Sequence, residues 1–311
     1  MNTNPTIEDF FIPEKTFGDV PFQITDPSSN SSGTFSYTSS DTTVVTISGD
    51  QITIVGAGTS TITATQTETD DFNSGTITVA LVVNKLTPTL TNFTVTEKTF
   101  GDASFQITEP SSNSSGTFSY TSSDTTVVTI SGDQITIVGA GTSTITATQA
   151  ETDDFNTETI TVASVVNKLT PTLTNFTVTE KTFGEVPFLI TEPSSNSSGT
   201  FSYASSDTRV AILSKVINGN VIINGIGNST ITVTQEETNN FTSTTQELTF
   251  TVNPSSSTNP VIIDNVNSLL YFLRTTSTHC KLEESLNVDY DLVTSRYKKI
   301  IGNNVQIYRV T

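Results

Sequence analysis

The sequence predicts an all-β protein: three tandem β-sandwich domains followed by a small, β-rich C-terminal module of different character. Three observations carry that prediction. The stretch Pro27 to Gln66, PSSNSSGTFSYTSSDTTVVTISGDQITIVGAGTSTITATQ, returns letter for letter at Pro110 to Gln149, and a looser copy, PSSNSSGTFSYASSDTRVAIL, begins at Pro193. Phe17, Phe100 and Phe183 each follow Lys-Thr and precede Gly, so the period is 83 residues (100 − 17 and 183 − 100). That period is too long for a solenoid unit and suits a small domain. The chain is also rich in Thr, Ser, Val and Ile and has no Trp, a mix that favours pleated, half-exposed strands. Finally, each period holds about seven short segments with turn signals between them, the spacing of an antiparallel sandwich.

In the first copy the expected first strand is Pro5 to Ile12, aligned with Pro88 to Val95 and Pro171 to Val178. Phe22–Ile24, Thr34–Tyr37, Val44–Ile47, Gln51–Ile54, Thr61–Ala64 and Ile77–Val83 follow. Most alternate with period two: Phe35 and Tyr37 face one way and Ser36 the other. Ser48-Gly-Asp50 should close a hairpin, and Gly56-Ala-Gly58 marks a second break. The expected core is Phe17, Phe22, Ile24, Phe35, Tyr37, Val45, Ile47, Ile52, Ile54, Ile62, Ala64, Phe72, Val79 and Leu81. Phe72 lies in the polar loop Glu68-Thr-Asp-Asp-Phe-Asn73 and is expected to plug the end of the sandwich.

The domains predicted are 1–85, 86–168 and 169–254, then a linker at 255–259 and a C-terminal module at 260–311. The joins Asn84-Lys-Leu-Thr-Pro88 and Asn167-Lys-Leu-Thr-Pro171 are short, and proline restrains them, so an elongated, stiff rod is expected. The third copy gains about three residues at Ser214 to Asn220 and reads Asn239-Asn240-Phe241 where the others have Asp-Asp-Phe. Ser255 to Asn259 reads as a flexible linker. In the C-terminal module, Asn267 to Arg274 suits a short helix, Leu282 to Val293 reads as extended, and Lys298 to Val310 as a hairpin turning at Gly302 to Asn304.

Net charge is −18 and unevenly spread. From Pro260 onward six basic and five acidic residues leave +1, so the repeats carry −19. Acidic repeats repel phosphate backbones, which argues against nucleic-acid binding. The single cysteine, Cys280, allows no intrachain disulfide. The N-terminal stretch MNTNPTIEDFFIPEK lacks the pattern of a signal peptide, and no apolar run is long enough for a membrane helix.

Lys-Thr-Phe-Gly, Phe-Ser-Tyr-Thr-Ser-Ser-Asp, Val-Thr-Ile-Ser-Gly-Asp, Ile-Val-Gly-Ala-Gly-Thr-Ser-Thr-Ile-Thr-Ala and the closing Val-Val-Asn-Lys together resemble the bacterial Ig-like repeats of invasin- and intimin-type surface proteins. The resemblance covers about Pro5 to Asn253. It implies Ig-like sandwiches and a place among surface adhesins, phage tail and capsid decorations, or virion proteins of giant DNA viruses. No family resemblance extends to Pro260 to Thr311.

Few residues suggest chemistry. His279 and Cys280 are the only residues of their kinds. As neighbours on a strand they would point to opposite faces, which does not make a Cys–His nucleophile pair. Glu68, Asp70 and Asp71, with Glu151, Asp153 and Asp154, form acidic loops near a domain join. Calcium suits such ligands, but the third copy offers Glu236 and Glu237 with Asn239 and Asn240, so a solvated loop is the reading adopted. N-x-[ST] sequons occur at Asn30, Asn92, Asn113, Asn175, Asn196, Asn228 and Asn240. No catalytic, cofactor-binding or metal residues are assigned, and no cofactor is expected.

The function expected is a non-enzymatic structural protein, an acidic Ig-like rod that projects from or decorates a virus particle. The alternative is a fragment of a bacterial cell-surface adhesin. Expected partners are a capsid or other surface structural protein, reached through residues 260–311, a second copy of the chain, and a host-surface receptor or glycan. Nucleic acid and membrane insertion are not expected.

Overall fold

The computed structural model describes residues 2–255, 261–263, 280–282 and 307–309. Those residues are all β or irregular, with no helix among them. By backbone proximity the chain forms two compact units, Met1–Asn167 and Lys168–Thr311. The first unit holds two sandwiches; the second holds the third sandwich and the C-terminal strands.

The first domain contains β1 (Ile7–Glu8), β2 (Lys15–Thr16), β3 (Phe22–Gln23), β4 (Ser28–Ser29), β5 (Phe35–Ser39), β6 (Val45–Ser48), β7 (Gln51–Ile54), β8 (Gly58–Gln66) and β9 (Gly75–Asn84). One sheet has the order β2-β9-β8-β5, the other β3-β7-β6, and β1 pairs with β4. All pairings are antiparallel except β2 on β9, which is parallel. Of the expected first strand, Pro5 to Ile12, only Ile7–Glu8 pairs as a strand, and a second short strand, β2, follows it at Lys15–Thr16. Asp9 takes a left-handed backbone (φ 56°), as do Asn92 (59°) and Asn175 (61°) at the same place in the other copies. Asp and Asn tolerate that conformation better than other side chains. The bend follows β1, which pairs only with β4, and β2 joins the four-stranded sheet beyond it.

The second domain repeats the arrangement 83 residues on: β10 (Leu90–Thr91), β11 (Lys98–Thr99), β12 (Phe105–Gln106), β13 (Ser111–Ser112), β14 (Phe118–Ser122), β15 (Val128–Ser131), β16 (Gln134–Ile137), β17 (Gly141–Gln149) and β18 (Glu158–Asn167). The third is β19 (Leu173–Thr174), β20 (Lys181–Thr182), β21 (Phe188–Leu189), β22 (Ser194–Ser195), β23 (Phe201–Ser205), β24 (Ala211–Leu213), β25 (Asn220–Ile223), β26 (Gly227–Gln235) and β27 (Thr244–Asn253). Strand orders are the same in all three copies. Of the expected linker only Ser255 is described, and it is buried. In the C-terminal module β28 (Val261–Ile263), β29 (Cys280–Leu282) and β30 (Ile307–Arg309) form a parallel sheet in that order. The expected helix over 267–274, the extended stretch beyond Leu282 and the turn at 302–304 lie outside the described residues.

Each core fills the space between the two sheets. In the first domain Ile24, Val45, Ile52, Ile62, Ala64 and Leu81 are buried as expected, joined by Ile12, Val44 and Val83. Phe17, Phe22, Phe35, Tyr37, Ile47, Ile54, Phe72 and Val79 are only half-buried. A domain of about eighty residues is too small to enclose all its large rings, so the aromatic residues line its rim. Lys15 lies over the Phe22 ring (4.5 Å to the centroid), as Lys98 does over Phe105 (5.0 Å) and Lys181 over Phe188 (4.7 Å). The Lys of the Lys-Thr-Phe-Gly motif thus covers a ring that the core leaves open.

The identical strings also encode a buried polar knot. Gln66 is buried, and its amide nitrogen, Nε2, donates to Ser31 O (3.1 Å) and Gly33 O (2.8 Å) while Oε1 accepts from Ser29 Oγ (2.7 Å). Gln149 and Gln235 repeat the knot with Ser112, Ser114 and Gly116, and with Ser195, Ser197 and Gly199. A buried amide left without partners would be costly, so this knot fixes the loop before β5. A Cβ on Gly33 would come within 2.1 Å of Thr67 O, which explains the glycine there.

Candidate functional sites

Sequence reasoning singled out the acidic loops, and the structure gives them a structural task. Leu86 N–H donates to Asp154 O and Asn156 N–H to Leu86 O, both at 2.9 Å, so the join residues are laced to the loop 151–156 of the second domain. Lys85 Nζ pairs with Glu151 (3.3 Å). The Asp154 carboxylate accepts the N–H of Ala57 in the first domain at 2.8 Å. Gly56 beside it has no room for a side chain: a Cβ would lie 2.7 Å from Thr43 O and 3.2 Å from Asp154 Oδ1. Phe155 meets Phe17 of the first domain edge to face, with centroids 5.5 Å apart. The loop aromatic, expected to plug its own sandwich, here grips the preceding one. The polar loop displays its ring outward because Thr152 N–H donates to Phe155 O (3.0 Å) and closes a tight turn beneath it.

Among the described residues no three His, Cys, Asp or Glu side chains gather where they could share a metal ion. Glu68, Asp70 and Asp71 occupy the matching loop of the first domain, between β8 and β9, and Glu237 pairs with Lys168 (3.5 Å) in the third. His279 is outside the described residues, and Cys280 begins β29. Of the sequons, Asn30, Asn113 and Asn196 are exposed but already engaged: each side-chain oxygen accepts an N–H from the opening segment, at Thr6 (2.9 Å), Thr89 (2.8 Å) and Thr172 (2.9 Å).

A second feature was missed because Phe35 and Tyr37 read as core. Phe10, Tyr37 and Phe35 form a row of near-parallel rings, with centroids 6.1 and 6.4 Å apart. Phe93, Tyr120 and Phe118 repeat it at 6.2 and 6.4 Å. In the second domain this row borders a cleft of about 400 Å³ lined by Ile107, Glu109, Phe118, Ser119, Tyr120, Gly132 and Asp133. Burial first, then the charges of Glu109 and Asp133, raise the Tyr120 hydroxyl above the usual tyrosine range. Tyr37 is raised too, by burial and by its hydrogen bond to Asp26, and Tyr203 by burial and by Glu192. The signal in the sequence was the pairing of an acid after Ile-Thr (Asp26, Glu109, Glu192) with the acid in the Ser-Gly-Asp turn, visible only once the topology places both beside β5 or β14.

Residues 192–237 match the family described as the intimin immunoglobulin-like domain. The resemblance read from the repeats thus holds in the third copy, whose strand order the first two share. Among curated protein sequences no match is found. Among solved structures, the chain is similar to three tandem titin Ig domains (11% identity, 82% of this chain and 100% of that one, TM-score 0.34). It is likewise similar to Sidekick-1 immunoglobulin domains 1–5 (12%, 81% and 60%, TM-score 0.32) and to Drosophila N-cadherin EC1-3 (10%, 77% and 97%, TM-score 0.29).

Proposed function

We propose that the chain is a non-enzymatic structural protein whose acidic, tandem Ig-like domains project from or decorate the surface of a virus particle, with residues 260–311 as its attachment. The observation that carries the reading is how the domains of the first unit are joined. Phe17 against Phe155 and Ala57 N–H on Asp154 hold one sandwich on the next through side chains built into the repeat. Such a join suits a protein that presents its domains in a set order rather than one that turns over a substrate. The acidic surface supports the same reading, since like charge keeps neighbouring arrays apart. The near-neutral C-terminal module can approach a surface without that repulsion.

A second setting, the surface of a bacterial cell, is favoured by the match of residues 192–237 to the intimin Ig-like family. The two settings share a surface location and differ in what bears the protein. Antibodies raised against the first domain test this directly. They should label intact particles, and the protein should co-sediment with the capsid through a density gradient. Labelling of bacterial outer surfaces, with none on particles, would favour the second setting. Confinement to the cytosolic fraction, with no surface labelling, would overturn both.

A further inference from the structure

The cleft of the second domain lies along β14, an edge strand bonded to a neighbour on one side only. Thr117 O accepts the N–H of Ala150 on that bonded side (2.9 Å). In an antiparallel ladder successive residues alternate in direction, so the main-chain groups of Phe118 and Tyr120 face outward, toward the cleft. The turn that forms the opposite lip is bare. A Cβ built on Gly132 would meet nothing within 4 Å.

The third domain shows what fills such a cleft. Its three additional residues lengthen the turn between β24 and β25, and Ile190 N–H bonds Gly219 O (2.9 Å) as Ile107 N–H bonds Asp133 O (2.8 Å). Gly219 therefore stands where Asp133 does, and Asn218 where Gly132 does. Asn218 Nδ2 donates to Phe201 O at 2.7 Å, satisfying the outward carbonyl of the edge strand. Gly219 is pressed on the Tyr203 ring, where even a Cβ would come within 3.3 Å. In the first domain the Tyr37 hydroxyl donates to Asp26 at the same place, at 2.5 Å. In the second domain the residue matching Asp26 is the longer Glu109, and it lines the cleft instead.

We propose that the second domain's cleft docks an exposed turn of a partner polypeptide, which brings an amide N–H to Phe118 O and a Lys or Arg side chain between Glu109 and Asp133. The third domain's own turn supplies the template, with Asn218 as the amide donor. Lys215 in that turn stands within a few residues of the position that is acidic in the other copies. Two carboxylates on an open cleft favour a cationic side chain, and the tyrosine beside them adds a ring face. The inference concerns one cleft and holds in either surface setting, so it can fail without touching the functional reading.

The test uses the full chain and a fluorescently labelled, cyclised peptide of the sequence SKVINGN. Anisotropy should show saturable binding that weakens with added salt. Asp133→Lys should weaken it by roughly tenfold or more, while Asp50→Lys, the same change in the first domain, should leave it unaltered. Replacing Gly132 and Asp133 with the five residues 215–219 should abolish binding, because the cleft is then filled from within. Circular dichroism and melting temperature confirm that each variant is folded. No binding up to about 5 mM peptide, or equal loss in Asp50→Lys and Asp133→Lys, would overturn the proposal. So would affinity undiminished in a folded Asp133→Lys.

Discussion

The first two copies and the third share one fold and differ on their surfaces. Copies one and two are identical over forty residues, and their strands coincide at a constant offset of 83. The third keeps its inward positions buried while exchanging side chains there (Val45 for Ala211, Ile52 for Val221, Leu81 for Phe250), and it changes the character of the outward ones. Gln23 and Gln106 become Leu189, Thr46 and Thr129 become Ile212, and Thr53 and Thr136 become Ile222. Ile212 and Ile222 face each other across β24 and β25. Leu189 is 64% exposed and Ile222 39%, so the outer face of this sheet is apolar in the third copy alone. Its charge falls as well: seven acidic and three basic residues lie in 169–254, against ten and two in 1–85. The buried knot and the Lys-over-Phe contacts survive unchanged. The interior changes by exchanges that leave each side chain enclosed, as packing demands, whereas the exterior changes from polar to apolar where its contacts differ.

If the shared interior defines the fold, the same change should cost the same in every copy. The largest expected effect is Gly33→Ala, Gly116→Ala or Gly199→Ala, because a Cβ at these positions would meet a carbonyl oxygen at 2.1, 2.1 and 2.0 Å. Each should destabilise its own domain by about 3 kcal/mol, read as a lowered denaturant midpoint for one transition. A neutral Gly199→Ala would break the equivalence. Gln66→Ala, Gln149→Ala and Gln235→Ala come next, at roughly 2 kcal/mol each, since Ser29, Ser31 and Gly33 or their equivalents lose their partner. Val or Leu in place of Gln should do no better, because the carbonyls remain unpaired.

Asp154→Ala removes the acceptor of Ala57 N–H, a partly buried bond between the first two domains. The expected loss is about 1 kcal/mol, and it should appear as reduced coupling between the unfolding of these domains rather than as unfolding of either. Paired replacement of Leu189 by Gln and Ile222 by Thr restores the surface of the earlier copies. It should leave stability within about 0.5 kcal/mol and lower self-association or binding to hydrophobic dyes.

The smallest effects are in pH dependence. The Thr43 hydroxyl and N–H hold Asp41 below the usual carboxylate range, as Thr126 does for Asp124, and the Arg209 side chain and N–H do for Asp207. A carboxyl whose folded pKa is depressed contributes stability above its unfolded pKa and loses it as pH falls through the folded one. Melting temperature should therefore decline at acid pH below the ordinary Asp range, and less so in Thr43→Val. Tyr37, Tyr120 and Tyr203 are raised, which gives the opposite sign. Their contribution is complete below the unfolded tyrosine pKa and is lost as pH rises through the folded one. Absorbance titration should find a late-ionising phase that shrinks on replacing Tyr37, Tyr120 or Tyr203 by Phe.

The places of the longer strands and the centre of the core were legible because the repeat and the period-two alternation specify them. Ile52, Ile62 and Leu81 could be placed inside from sequence alone. The early end of the first strand at Glu8 was not legible, because a left-handed residue follows it, and Asp9 does not announce that conformation as a glycine would. Phe72 and Phe155 occupy the same place in the sequence of their loops, yet Phe155 contacts Phe17 because another domain precedes it. No local pattern encodes that contact. The cleft was hidden for the same reason: Glu109 and Asp133 are 24 residues apart in sequence and meet only across the sandwich rim.

The attachment through residues 260–311 is tested most directly by a chain ending at Thr258, expressed in place of the full chain where the surface is assembled. Surface occupancy, read by quantitative immunolabelling, is the measurement. The account predicts a truncated protein that stays folded and soluble and is absent from the surface. Normal occupancy by the truncated chain would contradict it.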